Sequence, residues 1–297
     1  MILNTHDLDT LGRLAIKAAK SAGALIRDYS QKSIRVHNKN AGSTKASQIV
    51  TEVDFKSQEL ILNLLQPSIT RYDLGLLTEE LPDTKDRLHK DYFWCIDPLD
   101  GTLAFTESTP GYAVSIALVA KNGQPQLGVV FDPVTQILYH AIKNKGAYKN
   151  DKTWQLPQPR HERPLQLYFN RSFTTLDSFP SVLKALKNIA ISLPAQGVYS
   201  NRSSGAVMNA CYALENTPSC YFAFPKNTEG GGSLWDYAAT ACIYFELGAS
   251  VSDIYGVPLD LNNPESTFMH HKGVLFTSHP RLSKKIQKLY QELKAPL

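Results

Sequence analysis

The chain has 297 residues, 43% hydrophobic and 20% charged, with a formal net charge of +4. That length supports a large core in one domain or two packed lobes, and the mild positive excess, without an arginine-rich stripe, argues against a nucleic-acid polymer as partner. The four cysteines (Cys95, Cys211, Cys220, Cys242) make no CxxC or CxxH pair and sit among apolar residues, which argues against a zinc site or disulfide framework and for a reducing compartment.

The opening residues MILNTHDLDT lack a basic segment followed by an apolar run, and no stretch approaches a membrane span. A cytoplasmic protein with no membrane partner is expected. Leu8, Leu11, Ala15, Ala18, Ala22, Leu25 and Tyr29 recur at helical spacing and predict an amphipathic helix over 6–29, capped near Thr5. Residues 37–48 are polar and read as a loop. A second helix is expected over 52–65, capped by Thr51 or a neighbour and ended by Pro67. Asp54 falls in its first turn, where it either complements the helix dipole or serves a site.

Leu76-Leu77 reads as a short strand that delivers Glu79 and Glu80 at its end; by itself such a pair is a solvated loop edge. A charged connection over 83–91 leads into an apolar strand over 92–97, followed by Asp97-Pro98-Leu99-Asp100-Gly101-Thr102. Proline has no N–H for a ladder, and Gly101-Thr102 can open a first helical turn with free amides. Two carboxylates at such a junction are either an Asx-type cap or part of a cation site beside an anion-binding turn.

Strands over 113–119, 127–131, 136–141 and 146–149 are joined by turns too short for crossover helices, so they form an antiparallel meander. Residues 150–164 carry three prolines and mark the expected boundary between an N-terminal α+β lobe (1–155) and a C-terminal α/β lobe (156–297). The second lobe is expected to hold strands over 165–169, 219–224 and 273–277. Its helices are expected over 178–190, 204–214 and 237–247, with Asp236 at the start of the third and a last helix from Pro280.

Glu79, Glu80, Asp97, Asp100 and Asp236 all stand at the ends of apolar elements, where carboxylates repel one another unless a cation joins them. Oxygen donors without a competing thiolate or imidazole pattern suit Mg²⁺.

The sequences Val50-Thr51-Glu52-Val53-Asp54, Thr78-Glu79-Glu80, Ile96-Asp97-Pro98-Leu99-Asp100-Gly101-Thr102 and Trp235-Asp236-Tyr237-Ala238-Ala239, in this order, resemble the inositol monophosphatase family over nearly the whole chain. The resemblance implies a layered αβαβα sandwich of the α+β class and a Mg²⁺-dependent phosphomonoesterase with two to three metals per site. It implies that Glu79, Asp97 and the Leu99 carbonyl hold one metal, and that Asp97, Asp100 and Asp236 hold a second. Asp54 then pairs with a threonine near a third, weaker metal, and Glu80 stands beside the set without an assigned role. Thr102 with Glu79 orients the attacking water, and the amides of Gly101 and Thr102 receive the phosphate.

For substrate, the resemblance places Glu229, seven residues before Asp236, where an acid accepts the hydroxyls of a polyol; its plainer explanation is a loop acid before three glycines. Ser203-Ser204-Gly205 either lines the same pocket, with Ser204 touching substrate, or caps the next helix. The leading expectation is a small polyol phosphate such as myo-inositol monophosphate. The enzyme alternative is a 3'(2'),5'-bisphosphate nucleotidase acting on adenosine 3',5'-bisphosphate, and the other class is a catalytically silent scaffold on this fold. Lithium sensitivity and a homodimer are further implications of the resemblance alone.

Overall fold

The computed structural model describes residues 2–31, 36–38, 49–158, 163–193 and 195–294. Helix α1 (Thr5–Ser30) buries Leu11, Ala15, Ala18, Ala19, Ala22 and Ile26, and its alanines let it lie close on a sheet. Its cap is Asn4 rather than Thr5: the Asn4 side chain accepts the N–H groups of His6 and Asp7 at 2.8 and 3.0 Å. Strands β1 (Val36–Asn38) and β2 (Ile49–Thr51) pair antiparallel, so residues 37 and 38 of the expected loop are strand. Residues 39–48 of that loop lie outside the described residues.

Helix α2 (Glu52–Tyr72) is capped by Thr51, as expected, but runs past Pro67 instead of ending there. The proline removes one hydrogen bond, while Leu65, Ser68 and Tyr72 continue the buried face. Ser68 is anchored there by the indole N–H of Trp94 at 3.0 Å. Burial of that face outweighs the local defect.

Strands β3 (Gly75–Thr78), β4 (Tyr92–Asp100), β5 (Ala113–Ala120), β6 (Pro125–Asp132), β7 (Ile137–Ile142), β8 (Ala147–Lys149) and β9 (Lys152–Trp154) lie side by side in chain order. β3 runs parallel to β4, and the remaining pairs are antiparallel, as the short turns require. The second sheet contains β10 (Leu165–Tyr168), β11 (Val198–Asn201), β12 (Ser219–Ala223), β13 (Ser250–Ser252) and β14 (Val274–Thr277), in the order β11-β10-β12-β14-β13. β10 is parallel to β11 and β12, whereas β14 is antiparallel to β12 and β13. The sequence pattern missed β9, β11 and β13, which are three or four residues long and too short for alternation to register.

Side-chain alternation divides the molecule into layers. Trp94, Ile96, Val114, Ile116 and Leu118 face α1 and α2. Phe93, Cys95, Ala117 and Val119 point the other way, toward α5 (Ala206–Glu215) and α6 (Leu234–Glu246). Those two helices also meet Tyr168, Tyr221 and Phe276 of the second sheet. The far face of that sheet, with Leu167, Phe222 and Leu275, packs on α4 (Phe179–Ile191) and α7 (Pro280–Lys294). The result is an αβαβα sandwich with α6 buried on nearly all sides between the sheets. Among the described residues no helix is long and apolar enough to cross a membrane.

Candidate active site

The site begins with an irregularity in β4. Asp97 pairs with Ser115 and Asp100 with Ala113, so two β4 residues, Pro98 and Leu99, oppose Val114 alone. In a regular strand, residues three apart point to opposite faces; the extra residue of a bulge returns them to one side. Pro98, which cannot donate to the ladder, sits in this bulge. The Leu99 N–H turns back to Asp97 Oδ1 at 2.9 Å, so the Asx contact foreseen for this junction is present as well. It shapes the turn that presents both acids.

Asp236 arrives from the other side. It is the third residue of α6, and its carboxylate accepts the Ser233 N–H at 2.5 Å in a capping box. Asp97, Asp100 and Asp236 each offer an oxygen lying within 4.8 Å of the others. Burial pushes the Asp97 carboxyl well above the usual range, and Glu79, Asp236 and Asp100 push it further. Asp100 is raised too, by burial and then by Asp236. Buried carboxylates this close favour a shared cation.

These residues stand in the wall of a cavity of about 490 Å³, together with Glu79, Gly101 and Ser204. Glu79 directly follows β3, where its N–H bonds the carbonyl of Ile96 at 3.2 Å. Leu99 also lines the cavity, and its carbonyl accepts the Thr102 hydroxyl at 3.1 Å. The same hydroxyl lies 3.0 Å from Asp54 Oδ1. Asp54 therefore does more than complement a dipole: it caps α2 with Thr51 and holds Thr102 from behind the cavity wall. Burial, offset in part by the Thr51 hydrogen bond and reinforced by Glu79, pushes Asp54 up to about 6.

Gly101 has φ +82° and precedes the short helix α3 (Thr102–Thr106), whose first turn carries amides without intrahelical acceptors. A Cβ at Gly101 would lie 2.9 Å from the carbonyl oxygen of Gly111, so both conformation and space require glycine.

Two expected residues stand apart from this group. The backbone N–H of Glu80 donates to Gln58 Oε1 at 3.1 Å, and its side chain does not line the cavity. Glu229 is exposed and also lies outside the cavity wall, near His270. Gly230, Gly231 and Gly232 all have positive φ and turn the chain after it, so Gly231 and Gly232 reach the cavity instead. Ser204 lines the cavity and supplies no side-chain cap to α5. That cap comes from Asp100, which accepts the N–H groups of Ala206 and Val207 at 3.1 and 2.9 Å.

The sequence reading also missed Arg171 and Glu107, which face the cavity as an ion pair at 2.6 Å. An isolated arginine after a strand and a single glutamate after a short helix carry no pattern that marks them.

A family model described as the inositol monophosphatase family matches residues 7–294. The chain belongs to the inositol monophosphatase family. The 3'(2'),5'-bisphosphate nucleotidase CysQ of Salmonella typhimurium is 32% identical over 218 residues, 73% of this chain and 81% of the relative. The Nus factor SuhB of Pasteurella multocida is 29% identical over 279 residues, 92% of each chain. Among solved structures, the extragenic suppressor protein suhB from Bartonella henselae superimposes with a TM-score of 0.73 at 24% identity, covering 97% of this chain and 100% of that one. That likeness shows the shared fold.

As a member of the inositol monophosphatase family the protein is a hydrolase of small phosphorylated metabolites. The acid cluster fits the divalent cation such a phosphatase requires: its donors are carboxylate oxygens that repel one another, buried at Asp97 and Asp100 and half-buried at Asp236, and no histidine or cysteine is among the described residues lining the cavity.

Proposed function

We propose that the protein is a Mg²⁺-dependent nucleoside 3'(2'),5'-bisphosphate phosphatase. The observation that carries this substrate choice is the 32% identity, over 73% of this chain, to the CysQ bisphosphate nucleotidase, a relative whose name states its substrate class. The position of Glu229 supports it: the acid expected to accept polyol hydroxyls is exposed and outside the cavity wall.

Asp97, Asp100, Asp236, Glu79 and the Leu99 carbonyl would hold the metal ions, as an oxygen-only set around one end of the cavity. Bound Mg²⁺ supplies charge neutralisation at the transferring phosphoryl group and lowers the pKa of a coordinated water. The protein groups act around that chemistry. Asp54 Oδ1 and the Leu99 carbonyl accept the hydrogen bond that the Thr102 hydroxyl donates, leaving the Thr102 oxygen free to accept one from the attacking water. Glu79, which enters the same cavity, is the second acceptor for that water. The amides of Gly101 and Thr102 form the cradle for the phosphate oxygens. Ser204 and Ala206 form the neighbouring rim, where the nucleoside would rest.

Phosphate release from adenosine 3',5'-bisphosphate, adenosine 3'-monophosphate and myo-inositol 1-phosphate, each with Mg²⁺, tests the substrate choice. The expected result is the highest kcat/KM for the bisphosphate. A higher value for inositol phosphate would restore the polyol expectation.

A further inference from the structure

We propose that Arg171 is a specificity residue that binds the second, non-reacting phosphate of the substrate; this rests on the bisphosphate reading above. The cavity wall carries the acids Glu79, Asp97, Asp100, Glu107 and Asp236, and among its described residues Arg171 is the one cation. Metal ions answer the charge of the acid cluster and of the reacting phosphate. A second phosphate, itself carrying nearly two negative charges, needs a separate cation in the same cavity, and an arginine fork is the side chain best matched to it.

The position of Arg171 suits that role. It opens the short 3-10 helix Arg171–Thr175 in the second half of the chain. Its two terminal nitrogens meet both oxygens of Glu107, at 2.8 Å (Nη1 to Oε1) and 2.6 Å (Nη2 to Oε2). Glu107 is the residue that ends α3, the helix whose first turn carries the proposed phosphate cradle. At 1.5 Å per helical residue, the backbone of Glu107 stands roughly 8 Å along the axis from Thr102. Arg171 is therefore held to the far end of the element that receives the reacting phosphate, a span that a ribose phosphorylated at two oxygens can bridge.

The pair with Glu107 is a poised one. Its side chains are 38% and 40% exposed, so solvent screens the attraction. The fork takes one hydrogen from each terminal nitrogen, and the guanidinium keeps further N–H donors for an anion. Glu107 thus orients the guanidinium across the junction between the two sheets without neutralising its ability to receive phosphate.

The test compares wild type with Arg171→Ala and Arg171→Lys on adenosine 3',5'-bisphosphate and adenosine 3'-monophosphate, with Mg²⁺ present. The readout is the ratio of kcat/KM for the bisphosphate to that for the monophosphate. Loss of a charge-assisted fork lowers this ratio by about tenfold or more in Arg171→Ala, through KM of the bisphosphate. Arg171→Lys, which keeps the charge and loses the fork, falls between. Circular dichroism and thermal unfolding establish that the variants are folded; if Arg171→Ala is not, the ratio in Arg171→Lys decides, and a drop of threefold or more is expected. A ratio within twofold of wild type in folded variants, with wild type still preferring the bisphosphate, overturns the role of Arg171 and leaves the substrate assignment standing. A wild type without that preference overturns both.

Discussion

A Cβ at position 205 would lie 2.7 Å from the carboxylate carbon of Asp100, so the side chain of Asp100 occupies the space that Gly205 leaves open. Through that opening Asp100 reaches the first amides of α5 while also presenting an oxygen to Asp97 and Asp236. One carboxylate thereby fixes a helix from the second half of the chain to the bulge of β4. Gly205→Ala is expected to displace Asp100 and lower kcat/KM by about 10²-fold, as misplacement by an ångström does. Steady-state kinetics over a Mg²⁺ titration checks this, and higher Mg²⁺ should recover part of the loss.

Thr102 and Asp54 share one hydroxyl proton with the Leu99 carbonyl. Thr102→Val keeps the shape and removes that hydroxyl. Its kcat should fall about 10²-fold or more while KM changes little if, as proposed, the lost group acts on the water rather than on bound substrate. Thr102→Ser should restore most of the rate. A Thr102→Val enzyme with wild-type kcat would show that the water is positioned elsewhere.

Without metal, the acid cluster makes stability depend on pH. Asp97 and Asp100 have folded-state pKa values raised by burial and neighbouring acids, and Asp54 is raised from 3.8 to about 6. A raised pKa means that the folded state holds its proton more tightly than the unfolded state. The associated stability is full below the unfolded values and is lost as pH rises through the folded ones. For Asp54 that window runs from 3.8 to about 6. The metal-free Tm should therefore fall as pH rises from 3.8 through about 6, the fall continuing where Asp97 and Asp100 ionise, and added Mg²⁺ should raise it again. Asp97→Asn should flatten the metal-free profile, raise the metal-free Tm at the upper end and abolish the Mg²⁺-dependent rise. Thermal unfolding with and without EDTA measures all three.

Arg87 is fully buried, and it ties the 3-10 segment before β4 to a distant loop. Its guanidinium donates to Asp83 at 3.0 Å, to Asn262 Oδ1 at 2.6 Å and to the carbonyl of Asn263 at 2.8 Å. Removing one partner from a buried charged network leaves the others unpaired, at a cost of about 3–5 kcal/mol. Arg87→Ala should show a loss of that order by urea unfolding, and a change below about 1 kcal/mol would mean that the cluster relaxes freely.

Glu229→Gln should change KM by less than about twofold on any accepted phosphate, since the removal of an exposed charge is a small perturbation. A large rise in KM on inositol phosphate would instead return Glu229 to the substrate.

The sequence by itself determined much of this protein. Periodicity placed the long helices and the antiparallel meander, because burial repeats along a regular element and leaves its period in the residues. The acids at the ends of apolar elements, and the Asp97–Thr102 motif above all, pointed to a cation beside a phosphate turn, since buried carboxylates need a charge partner. Short strands such as β11 and β13 left no such trace, and Pro67 looked like a helix end because the packing of Ser68 and Tyr72 is not written locally.

What only the tertiary structure decided is which groups meet across long stretches of chain. Asp100 as the cap of α5, Asp54 behind Thr102, the Arg171–Glu107 pair and the position of Glu229 outside the cavity all depend on the packing of elements far apart in sequence. Local residue patterns encode the period of an element and the chemistry at its ends. The direction in which a side chain points after a bulge or three turning glycines is set by the layers packed around it.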